Sequence, residues 1–524
     1  MSCGADARRP WSTLTEGRTS EVRAILEVAS QALQTLLQLQ HLGMLVTGVL
    51  VGLTIGILPG LGGLVGMSLL LPFVYGMDPV SGIALLLGMA AVVATSDTFP
   101  SVLMGIPGSA GSQATIMDGY PLAKNGQATR ALSAAFIASL FGGLIGALAL
   151  SLVIPVARPL VLALGSPELL MLSLVGLSTV GVLSSNAPLK GLMAALLGLV
   201  LGAVGGAPAT MYYRYWFDQI YLMDGIPLVV LALGLFALPE IVDILVRGGS
   251  IAYKPASAKA AWLGWLQGLK DAYRYRLLIL RHSLLGVFVG FIPGLGGSVA
   301  DWINYGVVVQ TSKDKSQFGK GDIRGVIAPE SANNAKEGGA LIPTLLFGIP
   351  GSGSMAILLA GLLLMGVQPG PALFRDNLHF VYVGVWSLAL ASVLGVAICF
   401  VLSRWIASLA SIRFAILAPF VLGVVVIGAF QATRHWGDFL VLIGAGILGW
   451  FMKRFGWSRP ALLVGFVLAF SVEQYLWISI SRYGAEWLTR PGVLIIAVLA
   501  VVVMLGGSRI RTRPGVIGRD ADDV

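Results

Sequence analysis

Runs of about 20 mostly apolar residues recur along this chain and constrain its fold more than any other feature. A helix of that length crosses the roughly 30 Å hydrocarbon core of a bilayer. Clear runs lie near 130–155, 168–186, 189–208, 226–246, 379–403, 413–431, 436–452, 460–479 and 491–507. Gly-Pro clusters interrupt two further apolar regions, 42–123 and 283–374. The pattern predicts an all-α polytopic membrane protein with about 10–12 membrane segments.

Composition indicates a lipid environment and excludes several other classes. The 524 residues are 56% hydrophobic and 11% charged, whereas soluble domains are about 25% charged. The 2 cysteines and 4 scattered histidines predict neither a disulfide framework nor a metal site. A membrane enzyme would need a nucleophile–base pair or metal ligands, so we predict no catalytic residues. The net charge of +9 comes from basic residues in loops, which favours membrane topology over nucleic-acid binding.

The N-terminal extension, residues 1–41, is polar and lacks the apolar core of a cleavable signal peptide. Leu and Val recur at helical spacing within 21–41, together with Glu27 and several Gln. This pattern predicts an amphipathic helix lying at the membrane interface rather than a membrane span.

The two interrupted regions carry the same motifs in the same order. Residues 56–63 read GILPGLGG and residues 290–297 read GFIPGLGG, an offset of 234 residues. Residues 105–109 and 348–352 both read GIPGS, an offset of 243 residues. The charged insert 312–325 in the second region accommodates the difference between these two offsets. Because each interrupted region also precedes four ordinary spans, the sequence indicates an internal duplication.

Basic residues predict the orientation of the chain, because cytoplasmic loops are enriched in Lys and Arg. The basic linker 247–282 is predicted to be cytoplasmic, as is the tail 508–524. The linker separates transmembrane repeat 1, residues 42–246, from transmembrane repeat 2, residues 283–480, and a final transmembrane helix occupies 481–507.

Counting spans from these anchors predicts that the two repeats are inverted. Lys124 and Arg130 fall inside, whereas the matching stretch of the second repeat, around Arg375 and Asp376, falls outside. Inverted repeats are the plan of many secondary transporters. The arginines of the N-terminal extension disagree with this orientation, because inversion places them outside.

The Gly-Pro clusters predict two kinds of interrupted helix. Residues 284–292 reach only about halfway across the membrane, which predicts a re-entrant hairpin with its tip at 293–297. Residues 338–366 are long enough to cross but are broken at 349–352, which predicts a discontinuous helix. Backbone freed from helical hydrogen bonding at this depth must be buried in protein or line a wet cavity.

The ends of such half-helices present unpaired N–H groups to an anion. If four breaks converge, they could bind carboxylates without a buried Lys or Arg; the alternative is that they serve helix packing. The candidate substrate-binding residues are Pro59, Gly60, Gly62, Gly63, Ser96, Pro107, Gly108, Ser109, Ser112, Pro293, Gly294, Gly296, Gly297, Asn333, Asn334, Pro350, Gly351, Ser352 and Ser354.

Ionisable side chains in membrane segments are costly and usually functional. Asp97, Asp301 and Glu330 are therefore candidates for coupling to a cation or proton, the alternative being that they cap half-helices or lie at the interface. Asp118, near Lys124, is interpreted as a loop residue. The aromatic run 211–217 is interpreted as an interfacial belt, with docking of an external partner as the alternative.

Four segments resemble the large membrane subunit of the tripartite tricarboxylate transporter family. They are ILPGLGG at 57–63, GIPGSAGSQATIMDGYPLAKNGQA at 105–128, FIPGLGGSVADWINYG at 291–306, and APESANNAKEGGALIPTLLFGIPGSGSMAILLAGLLLMGVQPGP at 328–371. The resemblance implies uptake of citrate-like or other organic carboxylates across the bacterial inner membrane, driven by Na⁺ or H⁺ without another cofactor. It also implies two partners, a periplasmic solute-binding protein and a small membrane subunit.

Other transport functions remain open from the sequence. A stand-alone cation-coupled carboxylate symporter would need no receptor, and a passive anion channel would not accumulate its substrate. The sequence names neither the carboxylate nor the coupling ion. It also leaves open a homo-oligomer, specific membrane lipid contacts, and the choice between elevator and rocking motions.

Overall fold

The computed structural model describes residues 11–58, 62–183, 187–210, 212–247, 258–409 and 414–498, and most of these are helical. The helices before the linker are α1 (Trp11–Leu36), α2 (Leu39–Ile57), α3 (Gly62–Val74), α4 (Pro79–Ser96), α5 (Thr98–Met104), α6 (Ile116–Lys124), α7 (Ala128–Ala163), α8 (Ser166–Leu183), α9 (Pro188–Gly202), α10 (Leu228–Ala232) and α11 (Leu238–Arg247). Those after it are α12 (Ala258–Arg274), α13 (Arg276–Phe291), α14 (Gly296–Thr311), α15 (Arg324–Phe347), α16 (Gly353–Leu364), α17 (Pro371–Asp376), α18 (Leu378–Leu409), α19 (Phe414–Thr433), α20 (Gly437–Arg454) and α21 (Arg459–Tyr483).

Short elements complete the described chain. A π-helical turn (Leu233–Ala237) joins α10 to α11. The 3₁₀ turns are Ala110–Ser112, Ile220–Leu222 and Glu486–Thr489, and the strands β1 (Gly205–Gly206) and β2 (Tyr213–Arg214) form an antiparallel pair.

Five described helices are long and apolar enough to cross a membrane. They are Leu39–Ile57, Pro79–Met104, Ala128–Ala163, Leu378–Val401 and Arg459–Tyr483, the second of which combines α4 and α5. Shorter apolar helices, among them α3, α9 and α16, lie beside them. The prediction of an all-α membrane protein is therefore confirmed, whereas 10–12 membrane segments stay a prediction.

The predicted amphipathic helix at 21–41 is interrupted, because α1 ends at Leu36 and α2 begins at Leu39. The side chains of Ile25, Ala32 and Leu36 are buried. The indole N–H of Trp386 on α18 donates to the carbonyl oxygen of Ala29 at 2.9 Å. One face of α1 therefore packs on α18, and a position at the membrane interface stays a prediction.

The predicted linker is helical where it is described, since α12 lies within it and α13 begins within it. Arg130 of α7 donates to the carboxylate of Asp271 on α12 at 2.6 Å. Trp265 of α12 stacks on Phe136 of α7 with ring centroids 6.2 Å apart. The linker is therefore anchored to α7. Residues 248–257 and 499–524 lie outside the described residues, including the predicted tail and residues 499–507 of the predicted final helix.

The predicted aromatic run contains β2, which pairs with β1. Tyr212 and Phe217 are 78% and 75% exposed. Arg214 forms an ion pair with Glu473 of α21 at 2.7 Å. The run therefore lies at the surface, and its role as an interfacial belt stays a prediction; Met211 lies outside the described residues.

The span formed by α4 and α5 and the helix α15 lie at the centre of the protein. The span Pro79–Met104 is 94% buried, compared with 44–56% for the other candidate spans. Every residue of α15 from Gly325 to Leu346 is buried, although the helix carries Glu330, Lys336 and Glu337. Charged side chains are rarely buried unless they are paired. The core therefore encloses polar groups that need partners.

Small residues allow α7 and α13 to approach α15 closely, as is common where membrane helices pack. A Cβ atom on Gly286 of α13 would lie 2.6 Å from the carbonyl oxygen of Ala332. A Cβ atom on Gly146 of α7 would lie 2.8 Å from the carbonyl oxygen of Ala335. Because α4 packs on α15 as well, α15 is enclosed on several sides.

Packing between the two halves of the described chain is reciprocal. Helix α3 packs on α16, and α14 packs on the 3₁₀ turn Ala110–Ser112. Likewise α9 packs on α21, and α20 packs on the π-helical turn. Each half therefore contacts the interrupted helices of the other half.

Candidate functional site

The break between α13 and α14 lies against the second GIPGS segment and the 3₁₀ turn that follows the first. The backbone N–H of Gly294 donates to the carbonyl oxygen of Gly351 at 3.3 Å. A Cβ atom on Gly297 would lie 3.2 Å from the Cα atom of Gly111. Gly296 begins α14, and Pro293 is half-buried. Helix α13 has 16 residues, about 24 Å at 1.5 Å per residue, because it begins at Arg276. The predicted nine-residue half-helix is therefore wrong in length.

The break between α2 and α3 lies against the first GIPGS segment and the start of α16. A Cβ atom on Gly62 would lie 3.9 Å from the Cβ atom of Ser109, and one on Gly63 would lie 3.5 Å from the hydroxyl oxygen of Ser354. Pro59 and Gly60 lie outside the described residues. The structure thus brings together parts of all four motifs that the sequence singled out.

The two GIPGS segments have the same backbone geometry. Gly105 and Gly348 both end a helix in the left-handed region, at φ 69°, ψ 22° and φ 69°, ψ 21°. Such a conformation favours glycine, because other residues are strained there. The next helical turn is capped by Ser109 in one segment and by Ser352 in the other. Pro107 and Pro350 lie within these breaks.

The segments differ in the residue that each packs against. A Cβ atom on Gly108 would lie 2.7 Å from the Cα atom of Asp97, and one on Gly351 would lie 2.7 Å from the Cα atom of Ala340. Asp97 and Ala340 therefore occupy matching positions. The first half places an acid beside its break where the second half places a methyl group.

Asp97 is fully buried at the junction of α4 and α5. The hydroxyl of Ser109 donates to Asp97 Oδ2, and the same hydroxyl oxygen accepts from the N–H of Gly111 at 3.0 Å. Oδ1 of Asp97 has no hydrogen-bond partner among the described residues. Ser109 therefore acts as a cap and also orients a carboxylate that keeps one unused oxygen.

Asp301 is a second buried carboxylate, on α14. Its Oδ2 accepts from the backbone N–H of Ala114 at 2.5 Å, so it joins α14 to the connection between the first GIPGS segment and α6. Oδ1 of Asp301 has no hydrogen-bond partner in the described part of the chain. Asp301 therefore also retains acceptor capacity.

Glu330 on α15 is surrounded by hydroxyl groups and is fully buried. The hydroxyls of Thr98 and Ser139 donate to its Oε2 at 2.8 and 3.2 Å, and the hydroxyl of Thr115 donates to Oε1 at 2.8 Å. These donors belong to α5, α7 and the turn before α6, so Glu330 connects three elements. Sequence reasoning missed the three hydroxyl residues, because they lie far from Glu330 in the chain.

Asn333 and Asn334 attach α15 to α4. Nδ2 of Asn333 donates to the carbonyl oxygen of Ala94 at 3.1 Å, and Nδ2 of Asn334 donates to the hydroxyl of Thr95 at 2.7 Å. A Cβ atom on Gly111 would collide with Oδ1 of Asn333. Oδ1 of Asn334 has no partner among the described residues. Asn333 thus lies directly beside the 3₁₀ turn that follows the first GIPGS segment.

Three more of the predicted serines have hydrogen-bond partners within the protein. Ser96 donates to the carbonyl oxygen of Gly52 at 3.2 Å, which places its hydroxyl in the contact between α2 and α4. Ser112 lies 2.9 Å from the hydroxyl of Ser101. Ser352 accepts from the N–H of Met355 at 3.3 Å as the cap of α16. These bonds use part of the hydroxyl capacity that the sequence assigned to an anion.

Two buried charged residues beside the predicted site were missed from the sequence. Lys336 and Glu337 on α15 are 9% and 7% exposed, and they form an ion pair. They lie inside the APESANNAKEGG segment, between the paired asparagines and two glycines. The expectation of a site without a buried cation is therefore incomplete.

Asp118 was interpreted as a loop residue, and this is wrong. It lies on α6 and is fully buried. Its carboxylate accepts from the N–H groups of Gly321 and Asp322 at 2.9 and 2.8 Å and from the hydroxyl of Tyr305 at 3.0 Å. Asp118 therefore anchors the charged insert to the first half of the chain.

The buried charges form one cluster. Asp301 interacts electrostatically with Glu330, Asp97 and Lys336. With Glu337 bonded to Lys336, the cluster contains Lys336 and four acids, Asp97, Asp301, Glu330 and Glu337. No group of three or more His, Cys, Asp or Glu side chains in the described ranges is arranged to hold a metal ion. The geometry therefore combines an ammonium group, unused carboxylate oxygens and two backbone breaks.

Comparison with known proteins identifies relatives over most of the chain. An "Uncharacterized 52.8 kDa protein in TAR-I ttuC' 3'region" of Agrobacterium vitis is 31% identical over 465 residues, covering 87% of this chain and 92% of the relative. An "Uncharacterized protein in TAR-II ttuC' 3'region" of the same organism is 32% identical over 192 residues, covering 36% of this chain and 79% of the relative. No solved structure matches.

The family comparison covers nearly all of the regions described above. The model of the Tripartite tricarboxylate transporter TctA family matches residues 42–464, which include both GLGG motifs and both GIPGS segments. The chain therefore belongs to the Tripartite tricarboxylate transporter TctA family.

Proposed function

We propose that this protein is the large transmembrane subunit of a binding-protein-dependent secondary transporter in the bacterial inner membrane. It takes up tricarboxylates or related organic carboxylates and catalyses no chemical reaction. The observation that carries the proposal is the buried cluster around Asp97, Asp301 and Lys336, which adjoins the paired helix breaks. Buried charges in membrane proteins usually mark substrate or ion pathways.

The charge balance of the cluster supports coupling to a cation. A carboxylate substrate would enter a cluster that already holds four acids together with Lys336. Like charges repel strongly where water is excluded. Uptake of the anion is therefore accompanied by Na⁺ or H⁺, with the unused oxygens of Asp97 and Asp301 as acceptors. A sodium ion would also need hydroxyl or carbonyl oxygens, since hard cations prefer oxygen ligands.

We also propose that the two halves are inverted repeats, with re-entrant hairpins and broken helices surrounding the substrate. The equal geometry at Gly105 and Gly348 supports this, as does the reciprocal packing of α3 on α16 and of α14 on the 3₁₀ turn. Alternating access then results from movement of one bundle against the other.

Cysteine labelling tests the inversion. Tyr75, between α3 and α4, is 62% exposed, and Ser316, in the charged insert, is exposed; these positions follow α3 and α14. In a chain whose Cys3 and Cys399 have been replaced, Y75C and S316C should react with an impermeant maleimide from opposite faces of the membrane. Reaction from the same face would contradict inversion.

Reconstitution tests the need for partners. Proteoliposomes that contain this chain, the small membrane subunit and the solute-binding protein should take up labelled citrate or another carboxylate from a panel. Omitting either partner should abolish uptake. Robust uptake by this chain alone would contradict the tripartite proposal and favour a stand-alone symporter.

A further inference from the structure

The pairing of Lys336 with Glu337 differs from an ordinary structural ion pair. Adjacent residues on a helix project about 100° apart and do not face each other, so the two side chains must bend to meet. Oε2 of Glu337 has no hydrogen-bond partner among the described residues. The bond to Lys336 therefore leaves the buried carboxylate only partly satisfied, and unsatisfied buried charge is costly.

Lys336 also lies where the breaks of the two halves meet. A Cβ atom on Gly297 would lie 3.0 Å from Cε of Lys336 and 3.2 Å from the Cα atom of Gly111. The side chain thus extends past the start of α14 toward the 3₁₀ turn that follows the first GIPGS segment. On the opposite surface, Gly290 of α13 packs on the backbone of Lys336. The ammonium group is consequently directed to the breaks rather than to lipid.

We infer that a carboxylate group of the substrate binds Lys336 and takes the place that Glu337 holds in its absence. This inference rests on the proposed function and assigns the substrate a specific cationic partner. Lys336 is suited to the exchange because its ammonium group, on a flexible stem, can donate hydrogen bonds to either carboxylate.

Displacement of Glu337 links substrate binding to a cation. Once released, its carboxylate is buried near an acid-rich cluster, so it binds Na⁺ or takes up a proton to become a carboxylic acid. The groups within electrostatic range of Lys336 on neighbouring elements are Asp97 at the α4–α5 junction and Asp301 on α14, both acids. The surfaces of α7 and α13 that pack on this part of α15 present Gly146 and Gly290. One substrate carboxylate therefore enters with one cation at Glu337.

The test measures equilibrium binding of radiolabelled citrate and a panel of dicarboxylates to the complete complex in nanodiscs, at several Na⁺ concentrations and pH values. K336Q should weaken binding at least about tenfold, the loss expected for one hydrogen bond between charged groups, and K336R should restore part of it. E337Q should bind the substrate at least as tightly as the wild type. The number of Na⁺ or H⁺ ions bound together with the substrate, read from the dependence of binding on Na⁺ or pH, should fall by one.

Arg375 and Asp376 provide matched controls, because they are also adjacent and ion-paired but are 71% and 53% exposed. R375Q and D376N should bind substrate like the wild type. Wild-type affinity in K336Q, or an unchanged cation dependence in E337Q, would overturn the inference while leaving carboxylate transport intact. If the wild type binds and transports no carboxylate of the panel, the proposed function and this inference both fail.

Discussion

The hydroxyl groups around Glu330 allow its charge to be tested through stability. T98V and T115V each remove one donor at 2.8 Å from the carboxylate while keeping the shape of the side chain. A hydrogen bond to an ionised group contributes about 1.5–3 kcal/mol, whereas those between membrane helices average about 0.6 kcal/mol. If Glu330 is ionised in the resting protein, each variant should lower the free energy of unfolding by about 1.5–3 kcal/mol.

T179V is a suitable control, because the buried hydroxyl of Thr179 donates within its own helix, to the carbonyl oxygens of Val175 and Gly176 at 2.9 and 3.0 Å. Such bonds add little to helix stability. The assay is the midpoint of unfolding in nanodiscs, followed by tryptophan fluorescence and compared with the wild type. If T98V and T115V lower the midpoint no more than T179V does, the argument that these hydroxyls stabilise a buried carboxylate is refuted.

Two further predictions concern packing and the charged insert. G338A on α15 should lose about 1–3 kcal/mol of stability, because the new Cβ atom would collide with the backbone of Gly146. G306A on α14 should gain about 0.5–1 kcal/mol, because no atom lies within 4 Å of its new Cβ atom. Equal unfolding midpoints for the two variants would contradict the packing. D118A should speed tryptic cleavage of the insert 312–325 several-fold, because the two bonds from the backbone of the insert to Asp118 are lost. D314A should not, since Asp314 bonds Ser316 within the insert; equal cleavage rates would show that Asp118 does not hold it.

The breaks could be predicted from the sequence because their cause is local. Glycine in the left-handed region and a following proline end a helix wherever they occur, as Gly105 and Gly348 show. The apolar runs likewise predicted the membrane class without reference to tertiary contacts. The length of α13 was predicted wrongly because Arg276 and Arg281 were taken to end the apolar run, while helix formation itself tolerates arginine.

The partners of the buried acids could not be predicted, because they come from distant parts of the chain. Thr98 and Thr115 reach Glu330 across more than 200 residues. Asp118 lies in a short polar segment next to Lys124, and its burial depends on an insert that follows α14. The sequence did contain a signal for Lys336, namely adjacent Lys and Glu residues between the paired asparagines and the second GIPGS segment, in a region assigned to the membrane.

Gradient-driven accumulation tests the central claim most directly. Proteoliposomes with the complete complex should be given an inward Na⁺ gradient or an inward H⁺ gradient separately, and the internal concentration of labelled citrate or the best panel carboxylate should be measured. The buried cluster of four acids and Lys336 predicts accumulation above the external concentration under at least one gradient, with rapid loss when an ionophore dissipates it. Simple equilibration that is insensitive to both gradients would contradict cation-coupled transport.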